Sequence, residues 1–170
     1  MGGGCPIPVL RRERSNDPRL KNLSSPPSYT SPFRKIYVNM NNGVYRCGFS
    51  GSQQAYDAAF ELLFDTLDGL DTLLGDQRYL CGEVVTEADW RLFSTLIRFD
   101  LAYHGQFKCN RQQLKEYINL WPYCRDLYQL PRVAETVDVD AIKDIYYGGR
   151  GAGVMPRGPL IDFSEPHNRG

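Results

Sequence analysis

Thr86-Glu87-Ala88-Asp89-Trp90-Arg91-Leu92-Phe93 spells out the start of a helix. Thr86 can cap the backbone N–H of Asp89, and the Asp89 carboxylate can reach back to the Thr86 N–H. Val85 and Trp90 flank the cap and can pack together as a hydrophobic staple. Glu87 and Asp89 place negative charge at the positive end of the helix dipole. The helix that follows carries Ala88, Leu92, Phe93, Leu96, Ile97 and Phe99. Apolar positions wrap most of its circumference, so it is expected to be the most buried helix of the domain. Thr86 and Asp89 read as structural capping residues.

Working outward, the flanking segments are helical too. From about Gln53 to Leu74 the residues Ala58, Leu62, Leu63, Leu67, Leu70 and Leu74 form a wide apolar stripe. Gly75 reads as its stop. Tyr79-Leu80-Cys81-Gly82 makes a tight apolar connection to Thr86. Further upstream, Ser31-Pro32 opens a helix on which Phe33, Ile36, Tyr37 and Met40 share one face. Asn41-Asn42-Gly43 is expected to end it, since these residues tolerate positive φ. Downstream, short helices are expected over 111–117 and 121–130, the second closed by Pro131. Asp138 caps a last helix running to Tyr147, with Val139, Ile142, Ile145 and Tyr146 on its inner face.

The ends differ in composition. Residues 1–30 are rich in Gly, Pro, Ser and Arg and read as a disordered arm. Residues 150–170 return to Gly and Pro and read as an extended tail on the surface. Neither a strand-like alternation nor a repeat stands out. The expected architecture is an all-α bundle over 31–149 between an arm and a tail.

Charge and cysteine usage narrow the function classes. Twenty basic residues balance twenty acidic ones, which argues against nucleic acid or an anionic membrane as partner. Five cysteines without a C-x-x-C pair imply a reducing compartment. No apolar leader and no stretch of membrane-spanning length is present, so a soluble, cytoplasmic protein is expected. His104 and His167 lack ligand-spaced partners, so no metal site is expected. Cys47, Cys81, Cys109 and Cys124 read as small buried or semi-buried groups. Gly148-Gly149-Arg150-Gly151 lacks the strand and helix that a phosphate-cradling loop needs.

Leu80-Cys81-Gly82 followed by Thr86-Glu87-Ala88-Asp89 resembles the helical C-terminal domain of glutathione transferases. Further blocks narrow the resemblance to one branch. They are Asn41-Asn42-Gly43-Val44-Tyr45-Arg46-Cys47-Gly48-Phe49, Leu92 to Asp100, Phe107-Lys108-Cys109-Asn110, Arg125-Asp126-Leu127-Tyr128-Gln129, Ile142 to Tyr147 and Gly158-Pro159. In order and spacing they resemble the glutathionyl-hydroquinone reductases, or Xi-class (omega-like) glutathione transferases, from about Ile36 to Arg169.

That resemblance implies a two-domain enzyme. A thioredoxin-like domain binds glutathione and carries a nucleophilic cysteine in a Cys-Pro-aromatic-Ala motif. The helical domain forms most of the pocket for the aromatic substrate. The cysteine attacks the thioether sulfur of a glutathionyl-hydroquinone, and a second glutathione resolves the mixed disulfide. Only about 35 residues precede Ile36 here, and one βαβ unit alone needs roughly 30. The expectation is therefore a helical substrate-binding domain without the glutathione domain, inactive alone. The alternative is a non-catalytic binding or interaction module, or a truncated gene product.

The resemblance also nominates residues. Cys5-Pro6 matches the start of the catalytic motif, but Ile7-Pro8 does not continue it, so Cys5 is a weak catalytic candidate. Tyr45 stands where the family places a phenol facing the substrate. Tyr146-Tyr147 match a His-Tyr-Tyr block in which Ile145 replaces the His, leaving the choice between the two tyrosines open. Phenols suit a quinol ligand, because the O–H bonds its oxygen and the ring packs on its face. Arg98 and Asp100 could pair with each other or touch glutathione. Glutathione is the implied co-substrate, with none expected to bind this chain alone. The implied partners are a hydroquinone-like aromatic and a second copy or full-length relative.

Overall fold

A computed structural model describes residues 36–148 and 154–169. The expected arm, Ser31-Pro32, Phe33 and Cys5 lie outside the described residues. Six α-helices are present among those described: α1 Gly43–Gly48, α2 Gln53–Asp76, α3 Glu87–Arg98, α4 His104–Gln106, α5 Leu120–Tyr128 and α6 Val139–Lys143. Wider π-turns fill Ile36–Asn41, Phe99–Tyr103 and Asp144–Gly148. Among the described residues there is no strand, only an isolated bridge between Tyr79 and Gly82. The all-α reading holds. No helix there is long and apolar enough to cross a membrane.

The start of α3 is built around one carboxylate. Asp89 is fully buried. Its Oδ2 accepts from the Thr86 N–H and the Thr86 hydroxyl, both at 2.7 Å. Its Oδ1 accepts from Leu80 N–H and from the Tyr123 hydroxyl, both at 2.9 Å. The capping box is closed, and the same side chain ties α3 to the preceding turn and to α5. Trp90 remains 39 % exposed and lies edge-on to Phe93.

The apolar stripes form the core as the spacing predicts. Leu63, Phe64, Leu67 and Leu74 of α2 meet Leu92 and Leu96 of α3 and Tyr123 and Leu127 of α5. Asp71 fixes the next junction: its Oδ1 accepts from Asn119 N–H at 2.9 Å and Leu120 N–H at 2.7 Å, satisfying the open amides at the start of α5.

Three boundaries depart from expectation. Asn41-Asn42-Gly43 does not end its helix. The Asn42 N–H reaches back five residues to Tyr37 O, and the helix resumes as α1. Gly75 lies inside α2, which runs on to Asp76. A Cβ there would sit 3.1 Å from the Asn119 side chain, so the glycine makes room for the α2–α5 junction. Over 111–117 only a single 3₁₀ turn, Leu114–Glu116, forms.

The C-terminal segment is extended, as expected, yet it is docked rather than lying over the surface. Phe163 is buried between the rings of Trp121 and Tyr128. Gln129 Nε2 donates to the carbonyls of Phe163 and Glu165. Arg169 donates to the carbonyls of Leu74, Gln77 and Arg78 at 2.8–3.0 Å. Leu74 lies in the last turn of α2 and Gln77 and Arg78 just past its end, where a cation is also favoured by the helix dipole.

Candidate functional site

Tyr45 sits on α1, directly after buried Gly43 and Val44. Tyr103 ends the π-turn that continues α3, and Tyr146 lies in the π-turn after α6. Their three hydroxyls converge. Tyr45 to Tyr146 is 2.9 Å, Tyr103 to Tyr146 is 2.8 Å, and Tyr45 to Tyr103 is 3.4 Å.

Phe107 is the floor beneath them. Its ring lies 5.2 Å from Tyr45, 5.4 Å from Tyr103 and 5.7 Å from Tyr146. Such tilted and offset ring pairs add favourable quadrupole contacts to apolar burial. Gly48 permits the approach: a Cβ there would fall 2.5 Å from the Phe107 ring. Phe49, 74 % exposed, extends the aromatic surface outward beside Tyr45 and Phe107.

The phenols open on a cleft of about 510 Å³ walled by Asn41, Asn42, Thr95, Arg98 and Ile145. A second cleft of about 340 Å³ adjoins it through Ser94, Arg98 and Ile145 and reaches Phe93 and Asp138. Asn41 Nδ2 donates to Arg91 O at 2.8 Å, which holds the α1 approach against α3.

Each phenol can donate one hydrogen bond and accept two. A closed cycle of three hydroxyls keeps spare lone pairs, so it accepts from a ligand O–H. The 3.4 Å link is the longest, and opening it turns one O–H outward as a donor. Burial pushes the Tyr103 phenol up, reinforced by the Tyr146 and Tyr45 hydroxyls. Burial also raises Tyr146, while Arg98 is close enough for its charge to work the other way. Both phenols stay protonated at neutral pH and act as hydrogen-bonding groups.

The two tyrosines at 146–147, between which the sequence left the choice open, take different places. Tyr146 joins Tyr45, whereas the Tyr147 hydroxyl points to Ala102 O at 3.4 Å. Ile145 is 71 % exposed, against the expected inner face. The wider π-turn from Asp144 rotates the side chains off the 3.6-residue register that the expectation used. Tyr103 was missed. A signal existed, since Phe99, Tyr103 and Phe107 recur every four residues on one face of the continued helix.

Other nominated residues fall elsewhere. Asp100 does not pair with Arg98; buried, it accepts from the N–H groups of Leu114 at 2.6 Å and Lys115 at 3.2 Å. Cys47, Cys109 and Cys124 are buried, but Cys81 is exposed. None of these four lines either cleft. Among the described residues no cluster of His, Cys, Asp or Glu could hold a metal ion.

The family model described as the glutathione S-transferase C-terminal domain matches residues 53–126. The chain is 45% identical over 138 residues to glutathionyl-hydroquinone reductase YqjG of Escherichia coli, across 79% of this chain and 42% of that protein. It is 46% identical over 129 residues to glutathionyl-hydroquinone reductase PcpF of Sphingobium chlorophenolicum, across 74% of this chain and 41% of that protein. The chain thus spans less than half the length of these curated relatives. The Xi-class glutathione transferase of Natrialba magadii superposes with a TM-score of 0.78 at 45% identity, over 83% of this chain and 47% of that one.

Proposed function

We propose that this helical unit, a glutathione transferase C-terminal-like domain of the Xi-class, glutathionyl-hydroquinone reductase type, supplies the aromatic-substrate wall of such an enzyme. One observation carries the reading: the three hydroxyls of Tyr45, Tyr103 and Tyr146 lie within 3.4 Å of one another at the wall of an open cleft. A hydroquinone offers what that wall bonds, a flat ring with an O–H at each end. Tyr45 and Tyr146 are the substrate-binding residues, and Tyr147 supports the helix behind them. Thr86 and Asp89 hold α3 and take no part in chemistry.

The reacting sulfur comes from outside residues 36–169, since no described cysteine lines the cleft. A glutathione-binding unit carrying a nucleophilic thiol would supply it. With the sulfur-bearing ring carbon first protonated and its neighbouring O–H given up, as in the keto tautomer, C–S cleavage by the thiolate sends the bonding pair to the ring oxygen. An outward-turned phenol O–H would stabilise the phenolate that forms. The helical unit by itself binds without turning over.

Titration of hydroquinone into the purified chain, followed by tyrosine fluorescence, tests the wall. Saturable binding that weakens severalfold in Tyr45→Phe is expected. Absence of saturation, or identical curves for the two proteins, would overturn the reading. Incubation with glutathione and a glutathionyl-hydroquinone tests the sulfur. No release of hydroquinone is expected, and turnover that disappears in Cys5→Ser would overturn that part.

A further inference from the structure

Arg98 is the cation of the cleft, and nothing in the reading above uses it. It lies half-buried at the end of α3, at the junction of the two adjoining clefts. One guanidinium nitrogen is spent on Ser94 O at 2.6 Å, a bond within its own helix. Among the described residues no carboxylate lies within ion-pair distance of it. Asp100, the neighbour that the sequence offered, is turned inward onto Leu114 and Lys115. Among the described residues the tyrosine cleft has no acidic side chain in its wall. The adjoining one has Asp138, and that carboxylate accepts from Ala141 N–H at 2.9 Å as the cap of α6.

A guanidinium carries five N–H donors and no acceptor, and it cannot shed its charge. One bond to a carbonyl leaves a donor pair that fits a carboxylate in two parallel bonds. In a cleft of this size the rest of the ligand would rest on the phenols and on Phe107.

We infer that Arg98 makes the tyrosine cleft selective for aromatic ligands that carry a carboxylate, with the ring hydroxyls on Tyr45 and Tyr146 and the acid group on Arg98. This inference rests on the reading of the cleft as an aromatic site and adds the charge class of its ligand. Uncharged hydroquinones lose the charge-assisted bonds and bind more weakly.

The full chain serves for the test, with calorimetric titration of 2,5-dihydroxybenzoate, its methyl ester and glutathione into wild type, Arg98→Met and Arg98→Lys. The acid is expected to bind roughly tenfold tighter than the ester, as bonds to a charged partner allow. Arg98→Met should erase that ratio by weakening the acid far more than the ester, and Arg98→Lys should restore part of it. Equal binding of acid and ester to wild type, or a ratio that survives in Arg98→Met, overturns the selectivity while the aromatic site stands. Binding of neither aromatic overturns both. Glutathione binding lost in Arg98→Met, with no preference for the acid, would assign the cation to the tripeptide's carboxylates and overturn the aromatic assignment.

Discussion

The phenol oxygens of Tyr45 and Tyr146 lie 2.9 Å apart although 101 residues separate them in the chain. The contact exists because two helical segments are interrupted at the right places. The π-turn before α1 resets the register that carries Tyr45, and the π-turn after α6 does the same for Tyr146. Wider turns of this kind recur at functional sites, where they re-aim a side chain without breaking its helix.

Asp89→Ala is expected to be among the most destabilising single changes in the helical unit. It removes the acceptor for Thr86 N–H, the Thr86 hydroxyl, Leu80 N–H and the Tyr123 hydroxyl together. Leaving even two buried donors unpaired costs on the order of 3 kcal/mol. Urea denaturation should show the midpoint falling sharply, with Thr86→Ala losing only about 1 kcal/mol, as a single cap does.

Gly48→Ala probes the floor of the site. The added methyl would meet the Phe107 ring at 2.5 Å, and that ring touches all three phenols. Overpacking of this kind costs about 1–3 kcal/mol. The expected result is a lowered melting temperature together with weaker hydroquinone binding. Full retention of both would show that Phe107 has room to retreat.

How much of this was legible in the sequence differs by element. The cap at Thr86, the α2 stripe and the Asp138 cap were legible because each is local: its partners lie within one or two turns. Tyr45 and the Tyr146-Tyr147 pair were nominated only by resemblance, and their convergence was not legible, since periodicity says nothing about contacts 101 residues apart. Ile145 was misplaced because a 3.6-residue period was carried into a π-turn. Gly75 and Gly43 were read as stops because glycine near a helix end has two meanings, termination and close approach. Only the neighbour, Asn119 for Gly75 and Leu63 for Gly43, separates them. The docking of Arg169 on α2 was illegible for the same reason, since its partners are backbone carbonyls more than 90 positions away.

Alkaline pH should destabilise the unit through Tyr103. Burial and the neighbouring hydroxyls raise its pKa in the folded state above the ordinary value of 10.0. The folded state therefore holds that proton more tightly than the unfolded chain does. Its contribution to stability is complete below pH 10 and is lost as pH climbs from there toward the folded value. Chemical denaturation between pH 8 and pH 11 should show wild type losing stability more steeply than Tyr103→Phe. Parallel curves would show that the phenol ionises equally in both states.

Tyr146→Phe and Tyr147→Phe should separate cleanly, although the residues are adjacent and chemically identical. The Tyr146 hydroxyl shares hydrogen bonds with those of Tyr45 and Tyr103 at the cleft wall. Tyr147 gives its own to Ala102 O at 3.4 Å, a long bond behind the wall. Removing the first oxygen opens the phenol cycle and takes away one contact to a ligand hydroxyl. That contact is worth about 1 kcal/mol, so the dissociation constant of hydroquinone should rise severalfold. Removing the second leaves the cleft chemistry intact, so affinity should stay within error of wild type. Far-ultraviolet circular dichroism of both variants checks that each keeps its helices. Equal losses of affinity would mean that the π-turn after α6 moves as a unit and that Tyr146 has no privileged place in the site.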